Sequence, residues 1–233
     1  FDEELESAVR YCVFAHRLAT LTDSGLERGE PSSDFIVSLG AFVEASGSTD
    51  PWMQAGTFMH ELGHTLGLRH GGADVTNRKP NYLSVMNYDF QKQGLRIGGQ
   101  DGHFDYSQVK LADLDEGALH ETAGLGIEPL VAGHQTLYRV VTLDPITFQT
   151  TVVAIWSGEV QGSIDWNGSG AIDGSTVSAD INGNGSTETL TGHHDWAALD
   201  FNGGTVGFGV GLPPPPPPPE TEVGAELTAE EAK

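Results

Sequence analysis

Five residues within the eleven-residue stretch HELGHTLGLRH could do chemistry together: His60, Glu61, His64, Gly67 and His70. Residues four apart on a helix share a face about one turn, roughly 5.4 Å, from each other, so His60 and His64 can hold one metal ion. A continued helix would carry His70 about 15 Å along the axis from His60, out of reach of that ion. The helix must therefore stop first. Gly67 is the residue that can stop it, because glycine accepts the left-handed conformation that closes a helix. Three neutral imidazoles leave the fourth position of a tetrahedral zinc ion open to water. Water held there becomes acidic enough to supply hydroxide near neutral pH. Glu61, about 100° around the helix from His60, can accept its proton and pass it to a leaving amine. The chemistry is hydrolysis, and this division of labour fits a peptide bond.

Downstream, SVMNY at residues 84–88 places Met86 sixteen positions after His70 (86 − 70) and Tyr88 two positions later. HELGHTLGLRH followed by SVMNY resembles the zinc signature and methionine turn of the metzincin metalloproteases. The resemblance is specific over residues 58–89 and looser over residues 34–43. It implies zinc on His60, His64 and His70, with Glu61 as general base and Met86 as an apolar floor that binds no metal. In astacin-like, serralysin-like and pappalysin-like members a tyrosine at the place of Tyr88 approaches the zinc and can stabilise the transition state. The resemblance also implies an α+β fold, with a mixed sheet and the zinc helix in an upper subdomain and a less regular lower subdomain. The 59 residues before His60 are short for a complete upper subdomain, so its first strands are expected to be missing. Asp74 either binds a structural ion, orients His70 from behind, or is a surface loop residue.

The elements that must position these residues are legible to different degrees. Pro51 suits the first turn of a helix capped by Asp50. WMQAGTFMHELGHTLGL then runs without proline, its apolar Met53, Phe58, Met59, Leu62 and Leu66 falling at helical intervals. DEELESAVRYCVFAHRLA predicts a short helix and then a strand. TDSGLERGEPSSD predicts a loop. DFIVSLGAFV, residues 34–43, reads as a strand of β-branched and aromatic residues. By the resemblance it is the edge strand, along which a peptide substrate would lie antiparallel. Residues 105–126 predict a second helix with Leu111, Leu114 and Leu119 on its apolar face. Residues 134–160 predict a β-hairpin turned at Asp144-Pro145, and HHDWAALDFNGG predicts a short helix or strand. The expected organisation is an upper catalytic subdomain at 1–70 and a lower subdomain at 71–212. A polyproline II linker follows at 213–219, and then an acidic, disordered tail at 220–233.

DWNGSGAID and DINGNGSTE begin fifteen residues apart, at Asp165 and Asp180 (180 − 165). Each sets oxygen-bearing side chains at loop positions 1, 3, 5 and 9 and glycine at position 6. The first set is Asp165, Asn167, Ser169 and Asp173, and the second is Asp180, Asn182, Asn184 and Glu188. They resemble the calcium loops of EF-hands, dockerins and thrombospondin-type repeats. Threonine stands where the EF-hand glutamate would be. The fifteen-residue period instead suggests that Asp180 closes the first site and Asp195 the second. Calcium is thus expected as a second cation, bound within residues 165–195.

Acidic residues outnumber basic ones 33 to 11, for a formal net charge of −22. That charge argues against a nucleic-acid partner. It is compatible both with calcium loading and with a solubilising acidic surface. A single cysteine, Cys12, permits no intrachain disulfide, and its apolar neighbours make it a structural residue. No apolar run reaches the length of a membrane span. His103 is either a ligand of a second metal or a loop residue. The leading expectation is a secreted zinc endopeptidase stabilised by calcium, acting on a peptide or protein substrate. The alternatives are a calcium-dependent extracellular adhesion module with a vestigial protease site and a zinc hydrolase of non-peptide amides. The sequence leaves the oligomeric state open.

Overall fold

A computed structural model of the chain describes residues 9–18, 23–27, 32–47, 51–143 and 149–201. The helix expected before Tyr11, the Asp50 cap, the Asp144-Pro145 turn, the proline run and the acidic tail lie outside the described residues.

The first sheet is three-stranded and mixed, in the order β1–β3–β2. Strand β1 (Tyr11–Ala15) runs parallel to β3 (Asp34–Ser38), and β2 (Gly25–Glu27) runs antiparallel to β3. Two corrections to the sequence reading follow. The strand expected over residues 34–43 ends at Ser38, and α1 (Gly40–Ser46) follows it. Gly40 donates its N–H to the His16 carbonyl at 2.7 Å, which turns the chain out of the sheet. Leu39, Ala41 and Phe42 are then buried in the same cluster as Phe35 and Val37. Burial of both halves of an apolar run does not distinguish a strand from a helical turn. The second correction concerns the edge. β3 is the central strand, and the edge beside it is β2.

Helix α2 (Pro51–Thr65) has Pro51 in its first turn, where a missing N–H costs nothing. It packs against β2 and β3. Met53, Phe58 and Leu62 lie against the upper cluster, and the Phe58 ring meets Phe35 edge-on at 5.4 Å. Met59 lies against a second cluster built from Leu68, Tyr82, Val85, Met86 and Tyr106.

A third and larger cluster, around Phe90, Leu119, Tyr138 and Trp166, holds the remainder together. It includes α3 (Tyr88–Gln91) and the sheet β5–β4–β7–β8. The strands of that sheet are β4 (Leu95–Ile97), β5 (Gln100–His103), β7 (His134–Leu143) and β8 (Thr150–Glu159). The expected hairpin is present, with β7 and β8 antiparallel and a bulge between Gln135 and Leu137. The helix expected over residues 105–126 does not form. That segment is mostly irregular, with β6 (Leu114–Asp115) pairing with β9 (Thr189–Leu190) and a 3₁₀ turn at Glu121–Ala123. Its two buried glutamates explain why. Glu116 and Glu121 accept backbone N–H groups from two different loops. On a helix they would diverge by about 140°, and tertiary bonding overrides a moderate helical pattern. A four-residue helix, α4 (Asp195–Ala198), closes the described chain. The whole is α+β, with several small sheets and few helices. No helix among the described residues is long and apolar enough to cross a membrane.

Candidate metal centre

The end of α2 follows from its glycine. Gly67 has φ +83°, its N–H reaches the His64 carbonyl at 2.9 Å, and the Leu68 N–H reaches the Gly63 carbonyl at 3.0 Å. These are the paired bonds of a left-handed helix terminus. The chain reverses there and returns His70 to the face that carries His60 and His64.

All three imidazoles are buried, each 5% exposed or less. One ligand atom from each lies within 4.8 Å of the others. The His64 Nε2 is 3.2 Å from the Nε2 atoms of both His60 and His70. The other nitrogens decide what these contacts are. His60 Nδ1 lies 2.8 Å from the Val85 carbonyl, and His64 Nδ1 lies 2.8 Å from the Leu68 carbonyl. A carbonyl only accepts, so each Nδ1 carries the proton and each Nε2 keeps its lone pair. Two such lone pairs, turned toward each other 3.2 Å apart in a buried pocket, repel unless a cation or a proton lies between them. Tetrahedral zinc with bonds of about 2.0–2.1 Å would separate its nitrogens by about 3.3 Å. The donor set fits such an ion.

Met86 is fully buried. Its sulfur occupies the space a Cβ on Gly63 would need, so it packs against α2 between the two helical histidines. The turn at 84–88 is closed by the Asn87 N–H on the Ser84 carbonyl at 3.0 Å. The Asn87 side chain accepts from the Asp89 N–H and caps α3. Tyr88 is half-buried, with its ring 4.6 Å from that of His70 and 5.6 Å from that of His60.

Glu61 is fully buried on α2. Its carboxylate lies against Gly25, and a Cβ on Gly25 would overlap it. Sequence reasoning missed this contact, because a three-residue strand with one apolar residue carries no periodic signal. Burial first, and then the Glu61 charge, push the Cys12 thiol up. That is the opposite of an activated thiol.

Asp74 accepts from Lys79 Nζ at 2.9 and 3.1 Å, from Thr191 Oγ1 at 2.9 Å and from the Thr76 N–H at 2.9 Å. These bonds tie down the loop after His70. His103 lines a cavity of about 220 Å³ with Leu83, Leu95 and His134. Among the described residues, the three histidines are the one group of three or more His, Cys, Asp or Glu placed to share an ion.

The two Asp–Gly loops fold alike. Asp165 accepts from the N–H groups of Ser169 (3.0 Å) and Gly170 (2.7 Å). Asp180 accepts from Gly183 (2.7 Å), Asn184 (3.1 Å) and Gly185 (2.8 Å). Asn167 reaches Asp173, and both Asn182 and Asn184 reach Glu188. A buried glutamate fastens each loop at position 9, Glu121 to Asp173 N at 2.7 Å and Glu116 to Glu188 N at 3.0 Å. These anchors lay unseen inside a stretch read as a helix. Asp195 does not close the second loop. It is fully buried against the 84–88 turn, where it accepts from Tyr82 and Ser84. Its place in the fifteen-residue period does not make it a ligand there. Asp180 spends its oxygens on its own loop, without a hydrogen bond to the first.

Comparison of the chain with models of known families, with curated proteins and with solved structures finds no match. What stands on the geometry is a buried cluster of three histidines that could hold a metal ion.

Proposed function

We propose that the chain is a zinc-dependent endopeptidase of metzincin type. The observation that carries this reading is the convergence of the His60, His64 and His70 Nε2 atoms, with a fully buried Glu61 next to His60 on α2. Zinc bound there would act as a Lewis acid on the scissile carbonyl and lower the pKa of the attacking water. Glu61 takes the proton of that water and delivers it to the leaving amine. Tyr88, packed on His70, donates from its phenol to the carbonyl oxygen as that atom gains charge. The edge strand β2 passes Glu61 at Gly25 and offers main-chain groups to an extended peptide. It thereby takes the role expected for residues 34–43.

The loops at 165–173 and 180–188 bind calcium in this reading, through Asp165, Asn167, Ser169 and Asp173 and through Asp180, Asn182, Asn184 and Glu188. The support is position 1, whose carboxylate gathers the position-5 and position-6 amides in both loops. Millimolar calcium should raise the thermal midpoint, and an unmoved midpoint removes calcium from the account.

The deciding experiment incubates the zinc-loaded protein with an unbiased peptide library beside Glu61→Ala. The wild type is expected to cleave and Glu61→Ala to bind zinc without cleaving. Cleavage by both or by neither overturns the endopeptidase.

A further inference from the structure

Residues 189–200 are tied to the segments around the three-histidine cluster. The Leu190 carbonyl accepts from Asn81 Nδ2 at 2.9 Å. Thr191 Oγ1 donates to Asp74 at 2.9 Å, in the loop after His70. The Asp200 N–H donates to the Leu66 carbonyl at 2.9 Å, at the C-terminal end of α2. At the centre of this strap is Asp195, fully buried. Its Oδ1 accepts from the Tyr82 hydroxyl and from His193 Nδ1, both at 2.8 Å. Its Oδ2 accepts from Ser84 Oγ at 2.5 Å and from the Ser107 N–H at 3.0 Å.

A buried carboxylate is costly unless donors surround it, and the four donors here come from three places along the chain, Tyr82 and Ser84, Ser107, and His193. The path from it to the metal centre is short. Ser84 Oγ, held by Asp195, also receives the Met86 N–H at 3.2 Å. Val85, between those two residues, gives its carbonyl to His60 Nδ1 at 2.8 Å. The orientation of the His60 ring therefore depends on a turn that Asp195 pins.

We infer that Asp195 is a positioning residue of the three-histidine centre. It fixes the 84–88 turn so that the Val85 carbonyl sets the tautomer and angle of His60. Its strap meanwhile fastens the loop after His70 and the end of the helix that carries His64. This inference rests on the reading of the histidines as a metal site.

The test uses the whole chain, stripped of metal and titrated with zinc alone against a chromophoric chelator. Wild type, Asp195→Asn, Ser84→Ala and His64→Ala are compared at a temperature where circular dichroism shows each variant folded. Asp195→Asn keeps the shape but turns an amide donor toward groups that need an acceptor. It should weaken zinc binding about tenfold, as loss of a partner behind a ligand does. Ser84→Ala, which breaks the path one bond nearer His60, should weaken it in the same direction. The visible absorption of the cobalt-substituted protein should shift in both variants, which a general loss of stability would not cause. Wild-type zinc affinity and an unshifted cobalt spectrum in both variants, with His64→Ala unable to bind, overturn the role of Asp195 and leave the metal site standing. Wild type and His64→Ala binding zinc equally, or not at all, overturn the metal site and this inference with it.

Discussion

At the scale of single residues, Gly25 offers a way to perturb Glu61 apart from the three histidines. Its missing side chain is where the Glu61 carboxylate lies. Gly25→Ala must push that carboxylate aside, and misplacing a reacting group by about 1 Å can cost about a hundredfold in rate. The expected outcome is a turnover number down by about that factor with zinc stoichiometry unchanged, measured by peptide cleavage and metal analysis on the same preparation. Unaltered turnover would mean that Glu61 has room to spare or that it is not the base. The three histidines were legible in the sequence as a cluster because each is fixed by a short-range rule. Four-residue spacing on a helix sets His60 and His64, and a glycine terminus returns His70. Gly25 was not legible, since its role arises across 36 positions of chain (61 − 25) from how β2 lies on α2.

At the scale of elements, the link between α3 and β7 is the most exposed to a single change. Asp89 and Arg139 form a two-pronged ion pair, with bonds of 2.8 and 2.5 Å and side chains only 4% and 12% exposed. Asp89 adjoins Tyr88, and the Arg139 N–H also donates to the Ile181 carbonyl of the second Asp–Gly loop at 2.9 Å. Asp89→Ala leaves a guanidinium buried without its carboxylate and should cost about 3–5 kcal/mol, read by urea unfolding. Replacing both partners together, Asp89→Leu with Arg139→Met, should cost far less, because no charge is then left uncompensated. Equal losses in the single and double variants would contradict a paired-charge role. The hairpin that carries Arg139 was visible as two runs rich in β-branched residues on either side of Asp144-Pro145. The false helix at 105–126 shows the limit of such patterns. Its leucines fit a helical face, but Glu116 and Glu121 had to reach two separate loops.

At the scale of the molecule, the acidic balance makes low pH an informative perturbation. Burial by itself would raise the Asp74 carboxyl, but the Lys79, Thr191 and Thr76 hydrogen bonds and the Lys79 charge hold it below its ordinary 3.8. A carboxyl lowered in the fold contributes stability that is fully present above its unfolded value. That contribution is lost as pH falls through the lowered folded value. Asp74→Asn should therefore melt earlier than wild type at pH 7, and the two midpoints should converge as pH falls below that lowered value. The side chain is 40% exposed, so solvent screening keeps the gap modest. A gap that persists unchanged in acid would mean that Asp74 acts by shape and not by charge. The loop it ties spans from the third histidine to the strap at 189–200, so this titration tests how the lower half holds the site.

The sequence by itself determined the cluster of three histidines that could hold a metal ion, the helix that carries two of them, the glycine that returns the third, and the methionine turn packed against that helix. Each is a local pattern whose geometry is set by backbone rules over a few residues. Only the tertiary structure decided that, among the described residues, β2 and not β3 is the edge strand beside Glu61. It alone showed that buried glutamates fasten the Asp–Gly loops, and that Asp195 serves the 84–88 turn and not the second loop. Strand order and buried hydrogen bonds join residues far apart in the chain, and a spacing rule such as the fifteen-residue period carries no information about which distant donor a carboxylate will meet.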